Sequence, residues 1–480
     1  MTKQEAAIKY ITENYLDYRR LRHDIVADKL QVRVAHSLED ASLQNAPEGL
    51  QFRGSEYWRE MTKHDINSIV CHAAQEYDAN ITSREVMTAL QSDLIPDVHP
   101  LREYVLSCGE WTEEQPDWID WVASQVRVKT SPESATDRPK GLSERTACCQ
   151  TTMLLDRPYG ADRPMNLTSE ADLTVSEAHG LTSNSSQSER SKADRLWRGC
   201  FKKWFVAMVA SWMRDEVVNH QVLVLIGKQG IFKTTWLEHL IPPHLRAYAC
   251  KLANSNDLNK DERLRIAEFG LISLDEIDSM NNRELNQLKS VITATDVNER
   301  AAYAYTKERR VRLASFCASG NRRDFLTDIT GNRRWLPFEV EEIQNPFYTL
   351  LPYERMYAQA WALAQDPLFS YWFDLDEIEV LEEHNQHFRD ESNEEQLLPI
   401  LFDVPAEGKG EFMTTAQISE RLVTYGNIKK PMALSRLGMV LGAAGYQSTR
   451  PKIGGRLIRG WLVYQRDTDE IASLKRLLKE

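Results

Sequence analysis

The chain has 480 residues, 42% of them hydrophobic, and a formal net charge of −12. That balance excludes a protein that coats nucleic acid over its whole surface, and the length suits about three domains of ordinary size. No run approaches the ~18 apolar residues of a membrane span, the N-terminal MTKQEAAIKYITENYLDYRR lacks an apolar signal core, and seven scattered cysteines with no C-x-x-C pair argue against structural zinc, so a cytoplasmic protein with no membrane partner is expected.

In chain order, residues 1–127 predict a helical domain. Ala6, Ile8, Ile11 and Leu16 are spaced like one helix face, and HDINSIVCHAAQEY sets Ile66, Ile69, Val70 and Ala73 on one side. Residues 128–192, rich in Ser, Thr, Pro and charge, hold too little apolar surface to offset chain entropy and read as a flexible linker or insertion. An apolar, Trp-rich helix resumes at Leu196 (LWRGCFKKWFVAMVASWM). Beyond it Gln221–Ile226, Gly270–Leu274 and Leu313–Ala318 read as buried parallel strands alternating with helices, an α/β core over 193–365.

Residues 366–411 carry fourteen Asp or Glu against only Arg389 and Lys409, and read as an acidic connector. Residues 421–466 then hold nine Lys or Arg and no acid, a reversal that marks residues 412–480 as a separate module. Within it TTAQISERLVTYG and SRLGMVLGAAGYQ predict two helices, and STRPKIGGRLIRGWLVYQR predicts two strands joined around Gly454-Gly455. Helix, helix and β-wing suggest a winged-helix-like DNA-binding domain, with Lys452, Arg456 and Arg459 near phosphates. A solvated basic face or a protein-interaction wing is the alternative.

The chemistry gathers between Gly227 and Arg334. Gly227-Lys228-Gln229-Gly230-Ile231-Phe232-Lys233-Thr234-Thr235 directly follows the strand QVLVLI and precedes a helix-like TTWLEHLI. Strand, glycine-containing loop and Lys-Thr opening a helix is the context of a phosphate loop, whose backbone N–H groups wrap phosphate. Lys233 reaches the β- and γ-phosphates of ATP, and Thr234 places its hydroxyl on Mg²⁺. The standard motif has glycine where Phe232 stands, so a plain strand-to-helix turn containing Lys-Thr is the competing reading. GLISLDEID adds Asp275, expected to hold Mg²⁺, and Glu276, expected to orient and deprotonate the attacking water. RLASFCASGN ends in Asn321, placed to hydrogen-bond the γ-phosphate or the water. In Gly331-Asn332-Arg333-Arg334-Trp335 an arginine can project onto a neighbouring subunit's nucleotide. Singly these are a helix cap, a turn residue and a surface arginine pair; in this order they point to ATP hydrolysis.

GKQGIFKTTW, LISLDEID, ERAAYAYTKERRVRLASFCASGN and ITGNRRW resemble the virulence-associated protein E family of phages and mobile elements, which is related to superfamily 3 helicases. The resemblance covers about residues 196–340. It implies a P-loop, AAA+-like ATPase core, with Lys233, Thr234, Asp275, Glu276 and Asn321 in the roles above and Arg333 or Arg334 as the finger. It also implies a hairpin between the second and third strands that lines a ring pore. There Arg300, Lys307, Arg309 and Arg310 would track the backbone of single-stranded DNA, and Tyr303 or Tyr305 would stack on a base or pack a strand face.

The leading expectation is therefore a DNA helicase or replication-initiation ATPase of a phage or mobile element. It would work as a homo-oligomer, expected to be a hexamer, with a primase as a possible partner. A DNA-sensing defence or regulatory ATPase that does not unwind would carry the same motifs. A DNA-binding assembly protein with a degenerate phosphate loop is the third reading.

Overall fold

Helices of the N-terminal region start where a threonine and an acid three residues on satisfy each other's backbone. The Glu5 N–H donates to Thr2 Oγ1 at 3.2 Å and the Thr2 N–H to Glu5 Oε2 at 2.7 Å; Thr62 and Asp65 repeat the arrangement. They open α1 (Lys3–Ile11) and α2 (Lys63–Tyr77) in the computed structural model, which describes residues 1–35, 56–129, 184–252, 265–299, 308–327, 332–406 and 409–471.

The region between them departs from the helical expectation. Strands β1 (Leu21–Asp24), β2 (Lys29–Ala35) and β3 (Glu56–Glu60) pair antiparallel. Helix α3 (Ser83–Leu90) follows, and β4 (Asp97–Val98) then joins β1 in parallel, giving the order β3-β2-β1-β4. The cause is a period-two signal in KLQVRVA: Leu30, Val32 and Val34 share one face of β2 and pack on Ala6, Ile11 and Ile69.

Nor does the chain divide at residue 127. Helices α4 (Pro100–Ser107) and α5 (Trp118–Ala123) bury Leu101, Val105, Ile119 and Val122 in the core of the following region. Strand β5 (Val126–Val128) pairs antiparallel with the end of a core strand. Most of the expected linker, 130–183, lies outside the described residues; its described ends are β5 and the start of α6 (Asn184–Met213).

Helix α6 organises the core. Trp197, Phe201, Trp204, Phe205, Met208 and Trp212 are fully buried. Each indole N–H also finds an acceptor: the Ala123 carbonyl at 2.9 Å, the Phe316 carbonyl at 3.1 Å and the Gly270 carbonyl at 3.1 Å. One helix thus ties three separate segments by apolar area and by hydrogen bonds whose loss would orphan buried carbonyls.

Against it lies a sheet of β6 (Val222–Ile226), β7 (Ala249–Leu252), β8 (Leu271–Leu274), β11 (Ser315–Gly320) and β12 (Trp335–Ile343). With β5 at the edge, the order is β5-β12-β6-β11-β8-β7, parallel throughout except β5. The three expected core strands are β6, β8 and β11. Helix α7 (Lys233–His239) follows β6 and α8 (Asn282–Thr293) follows β8; β9 (Asp296–Glu299) and β10 (Glu308–Val311) form an antiparallel pair before β11.

After the sheet come α9 (Tyr353–Gln365) and α10 (Leu375–Gln386). The acidic stretch is not one connector, because its two helices serve different cores. Leu381 of α10 is buried with the α6 aromatics, whereas Leu398 and Leu401 of α11 (Asn393–Leu401) are buried in the C-terminal unit. That unit continues through β13 (Phe402–Asp403), β14 (Glu411–Met413), α12 (Thr415–Gly426), α13 (Leu434–Ala443) and β15 (Gln447–Thr449). A hairpin of β16 (Lys452–Ile453) and β17 (Arg456–Leu457) leads into β18 (Gly460–Gln465), which pairs with β13, β14 and β15. Among the described residues no helix is long and apolar enough to cross a membrane.

Helix α10 is fastened by His384, whose Nε2 lies 2.7 Å from the Pro337 carbonyl of β12. Burial pushes its pKa down to about 4 from the ordinary 6.5. The unfolded chain takes up this proton below pH 6.5 and the folded chain does not until about pH 4. The contribution is therefore intact above pH 6.5 and drains away as pH falls through that window, by about 1.4 kcal/mol per pH unit. Urea unfolding at stepped pH should show this slope, and His384→Gln should flatten it.

Candidate functional site

The site lies where the parallel strands end. The turn leaving β6 passes so close to β12 that a Cβ on Gly227 would stand 2.7 Å from the Val340 carbonyl oxygen. The Gly227 N–H donates to the Gly320 carbonyl at 3.1 Å, tying the loop to the end of β11 on its other side. Gly230 has φ +86° and Phe232 φ +67°. Phe232 thus adopts the left-handed conformation that the standard motif assigns to glycine, at a cost of about 1–2 kcal/mol. Its ring packs edge-on to Phe347, with centroids 6.4 Å apart.

Lys233 is buried, and its ammonium donates to the Gly227 and Lys228 carbonyls at 2.7 Å each and to Asn321 Oδ1 at 3.3 Å. Burial lowers its pKa, opposed by Asp278 and Asp275. Next to it, Thr234 Oγ1 lies 3.2 Å from Asp275 Oδ1 and 2.9 Å from Ser319 Oγ, and Ser319 donates to the same Asp275 oxygen at 2.7 Å. Lys251 of β7 pairs with the other oxygen, Asp275 Oδ2, at 2.9 Å. Burial alone would raise the Asp275 pKa, but the Ser319, Lys251 and Thr234 contacts together hold it below the ordinary carboxyl value.

Glu276 is exposed, with left-handed backbone at φ +53°. Asp278 accepts the Asn321 N–H at 3.2 Å and the Arg322 N–H at 3.1 Å, which fixes the turn after β11. Gln229, Gly230, Phe232, Lys233, Thr234, Thr235, Asp275, Glu276, Ser319, Gly320 and Asn321 line one cavity of about 300 Å³. Ile231, only partly exposed, packs beside the core rather than on the cavity. Ser319, Lys251 and Asp278 were not singled out from sequence; serine and lysine in strands carry no motif, and only β11 and β7 lying on either side of β8 bring Ser319 and Lys251 to Asp275.

Five expected residues, Lys233, Thr234, Asp275, Glu276 and Asn321, thus meet at one cavity. Arg333 and Arg334 do not join them. They form a short 3-10 turn before β12, where Trp335 pairs with Val222 at the start of β6. The loop leaves β6 at its other end, after Ile226, four residues away, a separation of roughly 13 Å along the sheet. Trp335 itself is fully buried.

Of the expected DNA contacts, Arg300 and Lys307 lie outside the described residues, as do Tyr303, Tyr305 and Gly331. Arg309 projects from β10 with an exposed side chain, paired to Asp296 at 2.9 Å. Arg310 contradicts its expectation. Its guanidinium is largely buried and pairs with Asp28 at 2.7 Å and Glu268 at 3.6 Å, so it ties the hairpin base to the N-terminal sheet instead of facing outward. Lys452, Arg456 and Arg459 are exposed on or beside the β16–β17 hairpin.

The close approach of loop and strand makes the site sensitive to one methyl group. Gly227→Ala should cost about 1–3 kcal/mol, read as a lowered thermal midpoint, whereas Phe232→Gly, which relieves the left-handed backbone, should not lower it.

Residues 179–395 match the family model of the virulence-associated protein E-like domain. Among solved structures, the A form apo structure of the NrS-1 C-terminal region (305–718) matches with a TM-score of 0.43 and 11% identity, covering 96% of this chain and 99% of that one. A second apo structure of that region gives 0.43 and 10%, over 95% and 99%. No curated protein matches the chain significantly. The matched span holds the cavity, both candidate arginines and the whole parallel sheet from β6 to β12, so over these residues the chain carries a virulence-associated protein E-like domain.

Proposed function

We propose that this chain is a P-loop ATPase with an AAA+-like core that hydrolyses ATP between copies of itself and spends the energy on unwinding or remodelling DNA in the replication of a phage or mobile element. The observation that carries the reading is the meeting of Lys233, Thr234, Asp275 and Asn321 at one cavity on the C-terminal edge of the parallel sheet. The strand order supports it. With β11 between β6 and β8, the loop lysine, the Asp275 carboxylate and the Asn321 amide stand side by side, an arrangement shared by AAA+-like ATPases.

The donor set fits Mg²⁺, a hard cation that takes oxygen ligands and keeps several waters. The Thr234 hydroxyl and the Asp275 carboxylate are adjacent oxygens at 3.2 Å. Among the described residues no group of three or more His, Cys, Asp or Glu forms a closed metal cage, which suits an ion completed by phosphate and water. The ion when bound would neutralise phosphate charge. Lys233 would bind the β- and γ-phosphate oxygens and Asn321 would orient the γ-phosphate or the attacking water. Glu276 would take the proton of that water as its oxygen bonds to the γ-phosphorus and ADP leaves.

Arg333 and Arg334 are too far along the sheet to serve their own cavity, which supports their use on a neighbour's nucleotide in a ring, for which a hexamer is the expected form. In the C-terminal unit the order α11, β14, α12, α13, β15, hairpin, β18 is that of a winged helix, with β18 between β14 and β15. Its segment 421–466 holds nine basic residues and no acid, which supports phosphate contact through Lys452, Arg456 and Arg459. Arg309 would face single-stranded DNA in a pore, and a primase is a partner to look for.

Lys233→Ala should lose hydrolysis by 100-fold or more, and Glu276→Gln should bind ATP without turning it over. Arg333→Ala and Arg334→Ala separate the two candidate fingers. Whichever is inactive alone should recover activity when mixed with Lys233→Ala, because each mutant supplies what the other lacks. Full turnover by Lys233→Ala would end the assignment. DNA-stimulated turnover without strand displacement on forked duplex would favour a DNA-sensing ATPase instead.

A further inference from the structure

Strand order gives a bound nucleotide a direction. Asp275 on β8 and Ser319 and Asn321 on β11 lie on one side of β6, and β12 lies on the other. If the γ-phosphate faces Asn321 and Glu276, the nucleoside end must leave toward β12. The segment that follows β12 is a turn built to present aromatic rings. Asn345 Oδ1 accepts the Phe347 N–H at 3.0 Å and the Asn345 carbonyl accepts the Tyr348 N–H at 3.1 Å. Phe347 is 56% exposed and Tyr348 is 87% exposed.

Phe347 is joined to the phosphate loop. Its ring meets Phe232 of that loop edge-on at 6.4 Å and His239 of α7 at 5.5 Å, with interplanar angles of 81° and 86°. The His239 Nδ1 lies 2.7 Å from the Thr235 carbonyl, which holds the imidazole against the first turn after Lys233. Both supporting rings touch Phe347 near the perpendicular. The phosphate cavity and the exposed Phe347 are thus contiguous through Phe232, which lines the one and packs on the other.

We propose that Phe347, assisted by Tyr348, is the stacking platform for the nucleobase of the bound nucleoside triphosphate, and that Phe232 occupies a glycine position because its ring braces that platform. The proposal rests on the ATPase reading above and adds the base subsite to it. Stacking on an aromatic face is sequence-tolerant and strong enough to matter for affinity.

Calorimetric titration of the full chain with Mg-ATP and, separately, with inorganic triphosphate tests it. Phe347→Ala should weaken ATP about tenfold and leave triphosphate unchanged, and Phe347→Trp should restore ATP binding. Unchanged ATP affinity in Phe347→Ala would overturn the platform, as would an equal loss for both ligands, which would make the ring a prop for the loop alone. Equal affinity of the unaltered chain for both ligands would also overturn it. An unaltered chain that binds neither ligand would overturn the ATPase reading itself.

Discussion

The site depends on a run of three oxygens. Ser319 Oγ stands 2.7 Å from Asp275 Oδ1 and 2.9 Å from Thr234 Oγ1, joining the ends of β11 and β8 to the start of α7. None of the three elements is adjacent to another in sequence. They meet only because β11 inserts between β6 and β8, in parallel register with both. The apolar faces of these strands and the indoles of α6 hold that insertion, so the polar site stands on a largely apolar foundation. Rigid elements of this kind hold functional side chains more closely than loops do.

Charge at the site is balanced before any ligand enters. The Lys233 ammonium is satisfied by two loop carbonyls and Asn321, and Lys251 is paired to Asp275. A buried ammonium without such partners would be costly. Through the Lys251–Asp275 pair, β7 is tied to the cavity. Tyr248, immediately before β7, donates to the buried Asp24 of the N-terminal sheet at 2.6 Å. With Arg310 paired to Asp28, the N-terminal sheet grips both the strand beside the cavity and the base of the β9–β10 hairpin. It is a structural part of the core and not an appendage.

Local chemistry carried much of the outline. Largely apolar runs such as VLVLI and LISL stay buried on both faces of a parallel sheet, so their burial is legible without knowing their neighbours. The Gly227–Thr235 loop and the Asp275-Glu276 pair are short motifs whose geometry is set within a few residues. The β16–β17 hairpin could be placed around Gly454-Gly455 because both glycines adopt positive φ in a tight turn. The N-terminal sheet is hard to read because the clear period-two signal is confined to KLQVRVA of β2 and lies among strong helix signals.

By itself, then, the amino-acid order determined which segments are core strands and which loop and carboxylates to look for beside them, because those properties follow from local burial and turn geometry. Tertiary structure alone decided the partners. It placed Ser319 and Lys251 on Asp275, turned Arg310 inward to Asp28, and set Arg333 and Arg334 at the far edge of the sheet from their own cavity. Strand order and register are long-range pairings, and nothing in a residue's immediate neighbours encodes which strand will lie beside it.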